Sequence, residues 1–581
     1  MPWRTASVAV CITALSGCFI PDDYDPCRGY CPDAQFYDGG PPIDAGSLGG
    51  ALGTVHEAEV PPPALSGGTL LVSGALVVLG DPDTDTVRVI DAGSFAQLGQ
   101  LALSAHDEPG RMAEDGAHRV HVVLRGAGAI ATLDLSDPTA PVLVQRRDVC
   151  PVPRGIAYDT ANDRLHVACM GGELVTLPPM GAIERSSVVA NDLRDVVVVN
   201  GALYVTQFRS GLVLVLDPIT LATSSTIALG QSGALTPSVA WRTIAAPTGA
   251  FVLHQLGGTA RTTNVASCSS ASVQSALTSI AAGAAGAPVV LQCSVLAIDA
   301  AISPDAHSLA IAVAGGPPLD PCHPIVVHAL SGAAIGPARS TDCLGPRGRV
   351  VAVAYGSDGT LFAETRAPLG LFVVPTRGAA IDIQLPGPVV SDTGLDAFHA
   401  MGTDQVACAS CHPEGGEDGR VWRIDGTPLR TQGLRGGLTA PFDWHGELAT
   451  FDDVITGMLA HPPDAGASLF PEQIEATERW VDALPDWAPA SVTDADAVAR
   501  GSAAFSSSGC DACHAGARFT NGALVDGIEV PSLARVSYRA PFFHDGCAAI
   551  LADVFGGCAA ASAHTVSLSE RDDLVSFLSS L

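Results

Sequence analysis

Between Gly67 and Gly378 the chain alternates short runs of Val, Leu, Ile and Ala with clusters of Gly, Asp, Pro and Ser. The runs come in pairs: TLLVSGALVVLGD then TVRVIDAGS, HRVHVVLRG then AIATLDLSD, GALYVTQFRSG then LVLVLDPIT, and TLFAETRAP then GLFVVPTRG. Apolar runs this short, bounded by turn residues, predict strands joined by hairpins. The cadence repeats at about 40 residues, the period of a propeller blade. A β-propeller of about seven blades is therefore expected over 66–387, with a Ser/Ala-rich insertion near 262–290 in the fifth unit. A pair of β-sandwiches or a β-solenoid would carry the same cadence. The His and Asp residues of this stretch are scattered, which reads as surface, so it is expected to serve as a scaffold or docking face.

Past residue 387 the period changes. Ser567-Leu568-Ser569-Glu570 has the form of a capping box, and Leu574, Phe577, Leu578 and Leu581 follow at helical spacing. Ile474, Val481 and Leu484 make a similar stripe. Gly394 with Phe398, and Gly501 with Phe505, each put bare backbone and a ring on one helix face. Two mainly α units are expected, 388–490 and 491–581.

Each unit holds a CxxCH motif: Cys408-Ala409-Ser410-Cys411-His412 and Cys510-Asp511-Ala512-Cys513-His514. This is the attachment pattern of a c-type haem. Two thiols at this spacing reach the two vinyl groups on one porphyrin edge, and the following imidazole meets the iron. Cys408, Cys411, Cys510 and Cys513 are thus the expected cofactor-binding residues of two covalent haems, with His412 and His514 as proximal iron ligands.

Charge narrows the partners. The 581 residues include 60 acidic against 30 basic side chains, a net charge of −30, and no lysine. Phosphate binding needs clustered cations, so nucleic acid is not expected as a partner, and a P-loop or Schiff-base lysine is excluded. After the N-terminus no apolar run reaches the ~18 residues that suggest a membrane helix.

Residues 1–18, MPWRTASVAVCITALSGC, read as a secretory signal. The ending Leu15-Ser16-Gly17-Cys18 resembles the bacterial lipobox, which implies acylation at Cys18; ordinary cleavage nearby is the alternative. Residues 19–65, with eight acidic side chains against one Arg, are expected to form a disordered linker. The expected location is the cell envelope of a Gram-negative bacterium, periplasmic or outer-membrane, with membrane contact through lipid alone. The other cysteines fall as neighbours: Cys27/Cys31, Cys150/Cys169, Cys268/Cys293, Cys322/Cys343 and Cys547/Cys558. In an exported chain these favour disulfides over buried thiols.

Two resemblances add to this reading. The repeat region resembles YVTN/NHL propellers. The last 190 residues are similar to the bacterial di-haem cytochrome c peroxidase and MauG family. That likeness rests on PSLARVSYRAPFFHDG and on the duplicated Ala440-Pro441-Phe442 and Ala540-Pro541-Phe542 segments, each running on to a glycine, Gly446 or Gly546. The resemblance implies that one haem passes electrons while the other meets peroxide, with a tryptophan between them. Trp444 fits, although its segment reads W-H-G where the family has W-D-G. The family's distal His of the N-terminal half is missing, because no His lies between His412 and His445. The family's Met ligand, expected in the second half, is replaced by Cys558, whereas Met458 occupies the matching slot of the first half. The two haem roles are therefore exchanged or the peroxidase chemistry is lost. Met458 is the expected sixth ligand of the first haem, and His544 and His564 are the distal candidates at the second.

The expected function is a peroxidase-like oxidoreductase taking electrons from a small donor cytochrome, or a similar partner, to hydrogen peroxide or another oxidant. A non-enzymatic electron-transfer lipoprotein with a docking propeller, and a MauG-like oxidation of a protein side chain, are the alternatives.

Overall fold

The apolar runs pair in chain order. The computed structural model describes residues 48–260, 271–316, 324–340, 346–402, 405–424, 426–459, 469–492, 494–558, 564 and 566–581. Seven antiparallel sheets span Leu70–Ala102, Pro109–Asp148, Pro153–Val188, Leu193–Ala228, Thr236–Leu291, Ala297–Ser340 and Arg349–Gln384; all run in sequence except at the edge of the fifth, where Ala284–Ala285 and Val289–Leu291 both pair with Val273–Ala281. Their innermost strands touch one another in a closed ring, the first blade meeting the seventh. This is a seven-bladed β-propeller.

The two middle strands of each blade are buried from both sides, which is why they read as continuous apolar runs rather than as alternation. Val77, Leu79 and Ile90 of the first blade pack on Ala352, Phe362 and Leu371 of the seventh and close the ring. A buried ion pair between Arg366 and Asp83 spans the same seam.

Two expectations for this region change. The Ser/Ala-rich stretch is no surface insertion past residue 272, since Val273–Ala281 is a nine-residue strand in the middle of the fifth blade. Small side chains hid its periodicity, while Val273, Ala276, Leu277 and Ile280 are buried. The histidines divide: His106, His118 and His307 are exposed as expected, but His121, His166 and His254 are wholly buried on the second strands of blades two, three and five. Each reaches a threonine on the third strand, Thr132, Thr176 and Thr278, at 2.8–3.0 Å.

The remaining chain forms two small helical units. Helices α2 (Thr393–His399), α3 (Cys408–Cys411), α4 (Phe451–Leu459) and α5 (Pro471–Asp482) build the first, and α6 (Ala495–Ser507) and α7 (Leu568–Ser580) frame the second, after the short α1 (Leu48–Leu52). The expected linker is packed from Leu48 onward. Leu65 is buried, Gln473 of α5 donates to the Gly49 and Gly53 carbonyls, and Trp480 donates to the Pro62 carbonyl at 3.0 Å. The acidic residues that suggested disorder cluster before this stretch, and residues 1–47, including Cys18, lie outside the described residues.

Disulfides join Cys150 to Cys169 and Cys547 to Cys558. Cys293 is also disulfide-bonded. Cys27, Cys31, Cys268, Cys322 and Cys343 fall outside the described residues. Among the described residues, no helix is long and apolar enough to cross a membrane.

Candidate functional site

The two helical units repeat one construction. In each, an early helix crosses a late one at a glycine: a Cβ on Gly394 would run into the Ala476 carbonyl, and one on Gly501 into that of Asp573. One turn further along each pair, the ring of Phe398 meets that of Trp480 at 5.0 Å, and Phe505 meets Phe577 at 5.3 Å. The Ala-Pro-Phe segments match in detail. The Phe442 amide donates to Leu448 and the Phe542 amide to Ala548, both at 2.7 Å. The residues after them, Asp443 and Phe543, take φ of 70° and 64°, and Gly446 and Gly546 take 64° and 67°.

Within this frame both CxxCH motifs form a tight turn. His412 donates its amide to the Cys408 carbonyl at 2.8 Å, and His514 to that of Cys510 at 2.9 Å. The turn brings the two cysteines and the imidazole of each motif together, and all four cysteines are thiols rather than disulfides. Cys408 packs against the buried cluster that contains Leu395, Phe398, Ile455, Trp480 and Val481, and Cys510 against the one that contains Phe505, Val536, Phe542 and Leu574. Each motif thus faces an apolar wall of the kind a porphyrin requires.

The imidazoles fit an iron as well. His514 donates Nδ1–H to the Phe519 carbonyl at 3.1 Å, a bond that fixes the tautomer and leaves Nε2 for a metal. His412 is partly buried; burial pushes its pKa down, while the Gln432 and Gly416 backbone pulls it back up. Among the described residues no group of three or more His, Cys, Asp or Glu side chains gathers around a protein-only metal site.

The distal candidates part company. His564 lies against Phe543, with ring centroids 5.7 Å apart, and its Nδ1 is buried without a partner. Burial lowers the pKa of His514 first, and the charge of a nearby His564 lowers it further, so the two imidazoles share one neighbourhood. His544 instead donates Nδ1–H to the Pro428 carbonyl at 2.9 Å and stands 6.3 Å from the Trp444 ring. Trp444 is buried and donates to the Arg430 carbonyl at 2.6 Å, while its own carbonyl accepts from Glu529 of the second unit at 2.8 Å. His544 and Trp444 therefore sit together at the seam between the units. Met458 lies in the last turn of α4, and its side chain falls outside the described residues.

No family model matches the chain, and no curated protein does. Solved structures match over 52–61% of the chain. Hydrazine synthase of Kuenenia stuttgartiensis is 16% identical with a TM-score of 0.43, over 56% of this chain and 98% of that one. The β-propeller domain of Cps50 (Swd1) from Myceliophteria thermophila is 10% identical with a TM-score of 0.37, over 57% and 99%. Virginiamycin B lyase from Staphylococcus aureus is 9% identical with a TM-score of 0.29, over 58% and 89%. This chain has a seven-bladed propeller.

The residues that join that propeller to the first CxxCH motif were missed in the sequence. Glu414, two positions past His412, has φ of 57° and is 1% exposed. Its carboxylate meets Arg194 at 2.7 Å, Arg125 at 2.9 Å and Arg154 at 3.5 Å, and accepts from Ser66 at 2.7 Å. Burial alone would raise its pKa, but the three guanidiniums outweigh that and hold the carboxyl well below the usual range. Glu417 likewise pairs with Arg430 of its own unit, Arg539 of the second at 2.8 Å and Arg209 of the propeller at 4.0 Å. At the seam, burial and then Asp443 push Glu529 up to about 7. One signal was available: Arg111, Arg154, Arg194, Arg242 and Arg349 recur on the innermost strands of five blades.

Proposed function

We propose that residues 388–581 are a di-haem c-type cytochrome module and that the protein is a peroxidase-like oxidoreductase, drawing electrons from a small donor such as a cytochrome. The supporting observation is the duplicated CxxCH turn, set in each unit against an apolar wall and a glycine-mediated helix crossing. Cys408 and Cys411 would hold one haem with His412 on its iron, and Cys510 and Cys513 the other with His514. The bound groups would supply one-electron transfer and, where a coordination position can open, peroxide reduction.

The protein's own residues would do the rest. Met458, on α4, would give the first iron a soft neutral ligand, making it the high-potential entry point. Trp444, at the seam, would lie on the route between the units. His564, beside His514, would help hold the second haem and could hold the proton that peroxide cleavage requires. Reducing one peroxide to two waters consumes two electrons and two protons. His544, tied to Pro428, would position Trp444 rather than meet peroxide.

A second reading, non-enzymatic electron transfer with the propeller docking a partner, is favoured by the same closeness of His564 to His514, since two bound imidazoles would close the second iron. Peroxide turnover with a ferrocytochrome donor separates the two. A pyridine haemochrome assay should give two haems per chain, and the half-reduced protein should show a high-spin EPR signal. Two low-spin irons without turnover would leave the transfer reading. We also propose export and acylation at Cys18; palmitate labelling should vanish in Cys18→Ala, and an unlabelled wild type would overturn it.

A further inference from the structure

Where the propeller and the two helical units meet, the chain forms a partly open cavity of about 50 Å³, room for a few water-sized groups. Arg154, Arg209, Arg435, Arg518, Arg535 and Arg539 all reach its wall. That is six of the 30 basic residues of a chain with net charge −30. Three carboxylates, Asp192, Glu417 and Asp486, face them, and two of these are already committed. Asp192 is shared by Arg154 at 2.8 Å and Arg209 at 2.6 Å, while Glu417 also serves Arg430 outside the cavity.

Arg435 and Arg518 form no ion pair among the described residues. Arg435 donates to the Glu414 and Pro485 carbonyls at 2.8 and 2.7 Å, and Arg518 donates to the Arg435 carbonyl at 3.4 Å. Tyr538, 3% exposed, also lines the cavity, and its hydroxyl is buried with no hydrogen-bond partner. Burial raises its pKa far above neutrality, so it is a proton donor without an acceptor. The nearby Glu173 does not bond it, and burial raises that carboxyl too.

Guanidiniums short of carboxylates and an orphan phenol want the same thing, an anionic oxygen acceptor. Pro413, Gly415 and Gly416, which follow His412 directly, form part of the wall. We propose that this cavity binds a carboxylate, which a guanidinium fork engages with two parallel hydrogen bonds. The cavity has room for a carboxylate group, and its open side leaves room for what that carboxylate is attached to. The carboxylate comes either from a propionate of an attached haem, a source that rests on the di-haem reading, or from a diffusible small acid.

The test compares the full-length matured protein with Arg518→Gln and with Tyr538→Phe, which removes only the orphan hydroxyl. Midpoint potentials are measured from pH 5 to 9, and malonate is titrated by calorimetry at fixed ionic strength. A propionate source predicts no malonate binding and a lower, more pH-dependent potential for one haem in both variants. A diffusible source predicts one malonate bound to the wild type, weakened about tenfold in both variants, with potentials unchanged. Two haems per chain, unchanged potentials and no malonate binding would overturn the cavity assignment. Malonate binding by a chain that matures without haem would support the cavity and overturn the di-haem reading instead.

Discussion

At the scale of single residues, Glu414 decides how the first CxxCH turn is held. Removing one partner from a buried charge cluster leaves the others uncompensated and costs about 3–5 kcal/mol. Glu414→Gln should therefore lower stability by about that amount in denaturant unfolding, because Arg125, Arg154 and Arg194 lose their counter-charge. A change within experimental error would mean the three arginines are balanced elsewhere. The buried histidines give a pH dependence. Burial lowers His121, His166 and His254 from 6.5 to about 4, so between those values the unfolded chain binds more protons than the folded one. Stability is fully present above pH 6.5 and is lost as pH falls towards 4, by up to about 1.4 kcal/mol per pH unit for each group. Thermal melts from pH 7 to 4.5 should show a steady fall, shallower in His254→Gln. The recurring arginines apart, these roles left no mark in the sequence. A carboxylate that makes its bonds with blades two, three and their neighbours has no local pattern, and a histidine inside an apolar strand looks the same whether its threonine lies opposite or not.

At the scale of elements the reading succeeded where periodicity was strong. The Ser567–Glu570 capping box forms as expected, with the Glu570 amide donating to Ser567 Oγ at 3.3 Å. The glycine–phenylalanine pairs identified in α2 and α6 are the crossing points. The fifth blade was misread because alanine and serine can be core without looking apolar. Gly501 offers a sharp comparison with Gly457. Gly501→Ala drives a methyl into the Asp573 carbonyl and should cost the second unit its helix crossing and, under the di-haem reading, its haem. Gly457→Ala meets nothing within 4 Å and should stabilise α4 by about 0.5–1 kcal/mol through helix propensity. If both variants melt together with wild type, the crossing is looser than these contacts imply.

At the scale of the whole molecule, the division at residue 387 is a change of architecture and not of core. One buried cluster runs from Phe208, Trp241 and Leu296 of the propeller into Leu395, Phe398 and Trp480 of the first helical unit. Limited proteolysis should fail to release 388–581 as a folded fragment, and that fragment expressed alone should lack a cooperative melt. A stable excised module would show that the shared cluster is dispensable. The boundary was legible from the switch in period, but the continuity across it was not, because packing between distant segments leaves no trace in either period.

Glu414 also sets an order of events in biogenesis. Were a haem attached at Cys408 and Cys411, the maturation machinery would have to reach that turn, yet two residues past His412 the chain is sealed against Arg125, Arg154 and Arg194. Under the di-haem reading, ligation at the first motif must precede docking onto the propeller, which is synthesised earlier and stands ready to capture the turn. The arginine cluster then works as a kinetic competitor of haem attachment: Glu414→Gln, although less stable, should acquire its first haem faster in a pulse-labelled maturation time course.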